Sequence, residues 1–203
     1  MPVQLRFDTG LAGAEYVNRE LWRLATLAHC PLHPRGGCGF ARHGSYARKR
    51  PAGTRIARWY CPQGRRTFSL LPDHLAARFP GTLAEIEAVA LAAEQAPSLE
   101  ACAHALRPEP IGLPAALRWL RRRTAAVRPL LSTAVAMLPQ LLAGCAVGVA
   151  ALRERLGVSS VLTRLRQTLA QHLPALATPL GFRRRRRRGG AAQGPPQQHM
   201  GPD

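Results

Sequence analysis

The stretch from residue 30 to residue 72 decides the reading of this chain. It runs through Cys30-Pro31-Leu32-His33, Cys38, Arg42-His43-Gly44-Ser45-Tyr46, Arg58-Trp59-Tyr60-Cys61 and Thr67-Phe68-Ser69-Leu70-Leu71-Pro72. Metal-ligand residue types sit at its two ends, and Arg-studded, β-rich sequence lies between and after them. Gly36-Gly37, Pro51-Ala52-Gly53 and Pro62-Gln63-Gly64 punctuate short runs of aromatic and β-branched residues, as turns do between strands. Arg55-Ile56-Ala57-Arg58-Trp59-Tyr60 is the clearest strand. Trp59 and Tyr60 fall on opposite faces of it, so one of the two is expected inside.

Zinc takes four tetrahedral ligands, commonly two short-spaced pairs of Cys or His on separate turns. Cys30 and His33 supply one C-x2-H pair, and Cys38 follows on the Gly-rich turn. The second pair should close at C-x2-C after Cys61, but position 64 is Gly and position 65 is Arg. Cys30, His33, Cys38 and Cys61 are therefore the best four ligands. A second, local set of Cys30, His33, Cys38 and His43 has the spacing of a zinc knuckle with its ligand types permuted. A third reading is a metal-free ribbon held by its aromatics. His29 and His43 otherwise read as turn or surface residues, and Cys102 and Cys145 as small buried thiols on apolar helical faces.

The 203 residues carry a net charge of +18, almost all of it arginine, because Lys49 is the only lysine. Arginine suits bidentate contact with phosphate and guanine edges, although biased codon usage produces the same preference. The charge is uneven. Residues 29 to 80 hold ten basic side chains against Asp73, whereas residues 81 to 109 hold five acids against Arg107. From 110 onward only Glu154 and Asp203 are acidic. Arg6 and Asp8 stand where a signal peptide would be apolar, so none is expected, and five cysteines then favour metal or buried thiols over disulfides. A cytoplasmic, nucleoid-associated protein is the expectation.

Residues 13 to 28 read as a helix with Tyr16, Leu21 and Leu24 on its apolar side. Thr82-Leu83-Ala84-Glu85 is a capping box opening a helix to about Gln95, which Ala96-Pro97 ends. Ser98 caps a short helix through Leu106, and Pro114 stands early in a third that runs to about Arg128. Residues 129 to 152 contain no charged side chain, long enough to span a bilayer. Pro139-Gln140 and dilution by Ser132, Thr133, Gly144 and Gly148 favour two short buried helices instead. An amphipathic helix is expected over about 158 to 172. The expected class is α+β. An N-terminal helix (1–28) precedes a small zinc-ribbon-like module (29–80), a helix-turn-helix-like segment (81–128), a helical bundle segment (129–181) and a disordered Arg-rich tail (182–203).

The C-x2-(C/H) start, Arg-His-Gly-x-Tyr, Arg-Trp-Tyr-Cys-Pro and Arg-Thr-Phe-Ser-Leu-Leu-Pro together resemble the N-terminal zinc ribbon of bacterial insertion-sequence proteins. Uncharacterised transposase-associated ribbons of this kind are followed by a helix-turn-helix segment. The likeness spans residues 30 to 80 well and extends loosely to about 128. It implies DNA recognition at element ends or in regulation. It implies no transposition chemistry, because the three carboxylates of a DDE core are missing after residue 110. No G-x-S-x-G, phosphate-binding Gly loop or H-E-x-x-H occurs, so no catalysis and no small-molecule substrate are expected.

The expected partner is DNA. Arg118, Arg121 and Arg122 share a face of the third helix at i, i+3 and i+4, anchored by Leu117, Trp119 and Leu120. Arg118 and Arg122 would reach guanine edges while Arg123 and Arg128 grip phosphate. In the ribbon, Arg48, Lys49, Arg50, Arg55 and Arg58 would add phosphate contacts. Arg183, Arg184, Arg185, Arg186, Arg187 and Arg188 would add salt-dependent affinity. A solvated basic face is the bland reading of both clusters. Two rivals remain at this level: a membrane-associated protein anchored by 129–152 with its arginine tail on anionic lipid, and a homo-oligomer formed through 129–172.

Overall fold

Three consecutive strands build most of the sheet, the outer one largely exposed and the next two carrying the buried apolar residues. β2 (Ala41–Ala47), β3 (Arg55–Cys61) and β4 (Arg66–Pro72) pair antiparallel in sequence order. β1 (Val3–Phe7) adds itself parallel to β4, giving the order β1-β4-β3-β2. In this computed structural model residues 3–11, 13–106 and 112–183 are described. The strand at Val3–Phe7 lies in a segment whose sequence suggested only a helix. Its side chains are all half-buried, so it lacks the clean alternation that marks a strand.

Among the described residues seven α-helices accompany the sheet, α1 (Gly13–Asn18) between β1 and β2 and six after β4: α2 (Leu83–Gln95), α3 (Leu99–Leu106), α4 (Leu113–Met137), α5 (Pro139–Leu142), α6 (Val149–Leu156) and α7 (Val161–Thr168). The class is α+β, as the order of elements suggests. The sheet's two faces serve different cores. Ala57, Trp59, Cys61, Phe68 and Leu70 point towards Tyr16, Trp22, Cys30 and Cys38. Ile56 and Leu71, on the other face, join a larger core with Leu130, Leu131, Leu152, Leu162 and Leu165.

The expected helix over 13–28 is cut short. α1 ends at Asn18, Glu20 takes φ of 46°, and turns carry the chain to Leu24, which is exposed rather than apolar-facing. Tyr16, Trp22 and Ala25 all enter the smaller core on the first face of the sheet. The bent chain leaves carbonyls open, and the Arg42 guanidinium donates to those of Trp22 and Arg23 at 2.5 and 2.6 Å. α4 departs in the opposite sense, running past Arg128 through Pro129 to Met137. A helix-interior proline costs about 3 kcal/mol. Burial of Leu130, Leu131 and Ala134 beyond it offsets that cost at about 1.5–3 kcal/mol per large side chain.

The capping box is present in both halves, Glu85 N to Thr82 Oγ1 at 3.0 Å and Thr82 N to Glu85 Oε2 at 2.8 Å. Two other α2 acids cap helices distant in sequence. Glu94 accepts from Val149 N and Ala150 N, at the start of α6. Glu87, fully buried, accepts from Val161 N and Leu162 N at the start of α7 and pairs with Arg153 at 2.9 Å. Gly148 and Ser160 provide no side-chain cap of their own. One helix face thus satisfies the orphan amides and positive ends of two others.

Arg166 of α7 has no exposed surface. Its guanidinium donates to the carbonyls of Asp73 (3.0 Å), Leu75, Pro179 (2.8 Å) and Leu180 (2.7 Å). Burial pulls its pKa down to about 10, with Asp73 opposing, so it stays protonated at neutral pH. Arg6 holds the Asp73 carboxylate at 2.6 Å, fastening β1 to the same turn. Replacing Arg166 with Leu strands those carbonyls. Buried unsatisfied groups cost about 1–3 kcal/mol each, so a loss of at least about 3 kcal/mol is expected, lowering Tm by roughly 6–12 °C for a chain this size. Arg166→Lys should recover only part of it, since an ammonium cannot span two turns.

Beside this turn lies His74, its ring 5.4 Å from Tyr16 and neither nitrogen hydrogen-bonded among the described residues. Burial, then the charges of Arg166 and Arg48, push its pKa down to about 4. The unfolded imidazole titrates near 6.5. His74 therefore contributes stability that is complete above about pH 6.5 and lost as pH falls towards 4. Urea unfolding across that window should show the loss, and His74→Phe should flatten its slope.

Candidate metal centre

Four side chains from two separated segments converge at one end of the sheet. The segment after α1 supplies Cys30, His33 and Cys38, and the last residue of β3 supplies Cys61. Their ligand atoms all lie within 4.8 Å of one another, with the three cysteines buried and His33 half-buried. His33 Nδ1 stands 3.7 Å from Cys30 Sγ and 3.4 Å from Cys61 Sγ. With metal–sulfur bonds of about 2.3 Å and metal–nitrogen bonds of about 2.0–2.1 Å, adjacent S and N ligands of a tetrahedron stand about 3.6 Å apart. These residues could hold a metal ion, with Nδ1 as the histidine donor.

Local structure explains the placement. A reverse turn brings His33 N to Cys30 O at 3.1 Å, and Gly36 and Gly37 take positive φ to swing Cys38 back towards the pair. β3 ends at Cys61 because Pro62-Gln63-Gly64-Arg65 turns, with Arg65 N bonded to Pro62 O at 3.1 Å. In that turn the Gly64 amide donates to Cys61 Sγ at 3.2 Å. The residue missing from a C-x2-C pair thus still serves the sulfur through its backbone. A Cβ at position 64 would stand 2.5 Å from Leu32 Cδ1. The fourth donor comes instead from Cys38, giving a three-plus-one set.

Burial pushes the Cys30 thiol up, but the His33 ring and the backbone amides of Leu32 and His33 outweigh it, bringing it down to about 6. Cys38 is shifted the other way, by burial and by its hydrogen bond to Cys30. The alternative set loses its fourth member: His43 is exposed in β2, tilted against Tyr60 at 5.7 Å. Trp59 is the residue that packs inside, with Arg42 over its ring at 5.3 Å. Cys102 is buried in α3, whereas Cys145 lies half-buried in the turn after α5, off any helical face.

The arginines separate into two groups. Arg48 is tied down, donating to Ala76 O at 3.2 Å and Phe79 O at 2.5 Å. Arg58 is half-buried over Tyr46, and Arg55 bonds Ser45 Oγ at 3.0 Å. Lys49 and Arg50 are exposed. Arg118, Arg121 and Arg122 are exposed on α4, while Arg123 lies over Trp119 at 4.3 Å. Leu120 is fully buried, with Leu117 and Trp119 half-buried beside it. Arg183 is exposed, and Arg184 to Arg188 lie outside the described residues, as does the rest of the expected tail. The sequence pointed to neither Arg42 nor Arg166 as structural, because nothing local distinguishes a clamp from a surface cation.

The chain matches no family model, no curated protein and no solved structure. Fold-level analogy therefore lends it no function, and the chemistry of its own residues carries the reading.

Cys61→Ser and His33→Ala should each lower the metal content of the purified full-length chain, read by mass spectrometry of the elements, and lower Tm by several degrees. His43→Ala should leave both unchanged. Equal metal content in all three variants would rule out this ligand set.

Proposed function

We propose that this chain is a non-catalytic DNA-binding protein associated with a bacterial mobile element, an accessory or regulatory protein without a DDE core. Zinc is the metal best suited to these residues, since three cysteines and one histidine, close together and largely buried, match the donor set of structural zinc sites. Four protein ligands would leave no position for substrate, so a bound metal would serve to lock the Cys30–Cys38 segment onto the end of β3.

The observation that carries the reading is the disposition of α4. Its buried side, Ala116, Leu120 and Val127 among others, packs against α2 and α3, while Arg118, Arg121 and Arg122 stand exposed. No acid occurs in the helix. A long helix seated on two shorter ones, with exposed guanidinium groups on its outer side that no described residue pairs in a salt bridge, suits insertion into a major groove. The exposed Lys49 and Arg50, beyond β2, would add phosphate contacts. The membrane rival is weakened by one fact: among the described residues no helix is long and apolar enough to cross a membrane. Residues 129–152 instead divide among the end of α4, α5 and the start of α6.

Duplex selection from a randomised pool followed by fluorescence anisotropy with the full chain tests this. The Arg118→Ala, Arg121→Ala, Arg122→Ala triple variant should raise Kd for the selected duplex at least about tenfold. It should also reduce the salt slope by about one for each phosphate it no longer neutralises. Serine in place of Arg183 to Arg188 should weaken all duplexes alike. If the triple variant binds as the parent does, α4 is not the reading helix.

A further inference from the structure

A cleft of about 610 Å³ opens between α2, α4 and the start of α6. Its floor and walls are apolar, formed by Leu99, Val127, Leu131 and Ala150 with several alanines. Two guanidinium groups, Arg121 and Arg128, border it two helical turns apart on α4, and both side chains are exposed. No described residue forms a salt bridge with either of them. The one carboxylate on the lining, Glu94, is turned to the start of α6, where its oxygens accept from the amides of Val149 and Ala150, and it forms no salt bridge with either arginine; its single negative charge leaves the lining net positive.

We propose that this cleft binds a small amphipathic carboxylate, an apolar chain or ring system carrying one acid group. The volume falls in the range of small-molecule sites, which pair largely apolar walls with a few placed polar groups. The apolar body would displace water from the floor at Val127 and Leu131. The carboxylate would take the fork of Arg121 or Arg128, a pairing that planar guanidinium groups favour through parallel charge-assisted hydrogen bonds. A neutral ligand leaves those cations unused, and a cationic one is repelled. The cleft proposal does not rest on the DNA reading, but the two surfaces share Arg121, so ligand and DNA would compete for it.

Decanoate below its micellar concentration is the probe, titrated calorimetrically into the full chain without DNA, with decanol and decyltrimethylammonium alongside. Decanoate should bind saturably at one site per chain, at least tenfold tighter than either comparator. Arg121→Ala with Arg128→Ala should weaken it tenfold or more, while Arg164→Gln, an exposed cation of α7 off the cleft, should not. Ala150→Trp, at an exposed helix-start position, should block the apolar body, with circular dichroism verifying that each variant is folded. Non-saturable uptake, equal affinity for all three probes, or indifference to the arginine pair would overturn the proposal. So would a dimer by light scattering that Ala150→Trp dissociates, since a second copy would then fill the cleft.

Discussion

The buried guanidinium of Arg166 is the interaction on which the arrangement of sheet and helices depends. A cation inside a protein is tolerated only where its hydration is replaced. Here the replacement is a cage of main-chain carbonyls from two turns, 72–75 after β4 and 179–180 near the C-terminal end of the described chain. Arg166 therefore ties three parts of the chain together: the sheet's exit, α7 and the returning C-terminal segment. Arg6 extends the link to β1 through the Asp73 side chain. Several apolar contacts would tolerate sliding, but a planar fork with several fixed acceptors sets one registry.

The larger core around this cage and the smaller core with Tyr16, Trp22 and Trp59 are two separate apolar clusters divided by the sheet. That division explains how a small module keeps a metal-ligand cluster of its own while resting on a helical body. The ligand segment Cys30–Cys38 has no regular secondary structure, so its position relies on Trp22, Tyr16 and the four-way convergence at Cys61. Acidic residues on α2 play a matching part in the helical body, where Glu87 and Glu94 hold the starts of α7 and α6. These two acids replace local capping with long-range contacts, so α6 and α7 depend on α2 being in place.

Much of the outline was legible in the sequence, for physical reasons that can be named. The capping box at Thr82 and Glu85, the stop at Ala96-Pro97 and the Ser98 start act within four residues. Turn residues at 51–53 and 62–64 divide the strands in the same local way. The proximity of Cys30, His33, Cys38 and Cys61, which could hold a metal ion, could be anticipated because thiols and imidazoles at short spacing have few other uses. What could not be read followed from competition at a distance. The helix expected at 13–28 yields to the burial of Trp22 and Ala25, and Pro129 is overridden by the burial of Leu130 and Leu131.

By itself the sequence determined the element types wherever local chemistry is sufficient, and it determined which residues are able to bind metal. It also set the excess of arginine. The tertiary structure alone decided what each arginine does. Arg42, Arg48 and Arg166 became donors to stranded carbonyls, whereas Arg118, Arg121, Arg122 and Arg128 remain exposed on α4. The physical reason is that a guanidinium carries five donors on a long stem and suits water, phosphate and main-chain oxygen equally well. Only the folded chain brings carbonyl groups within its reach.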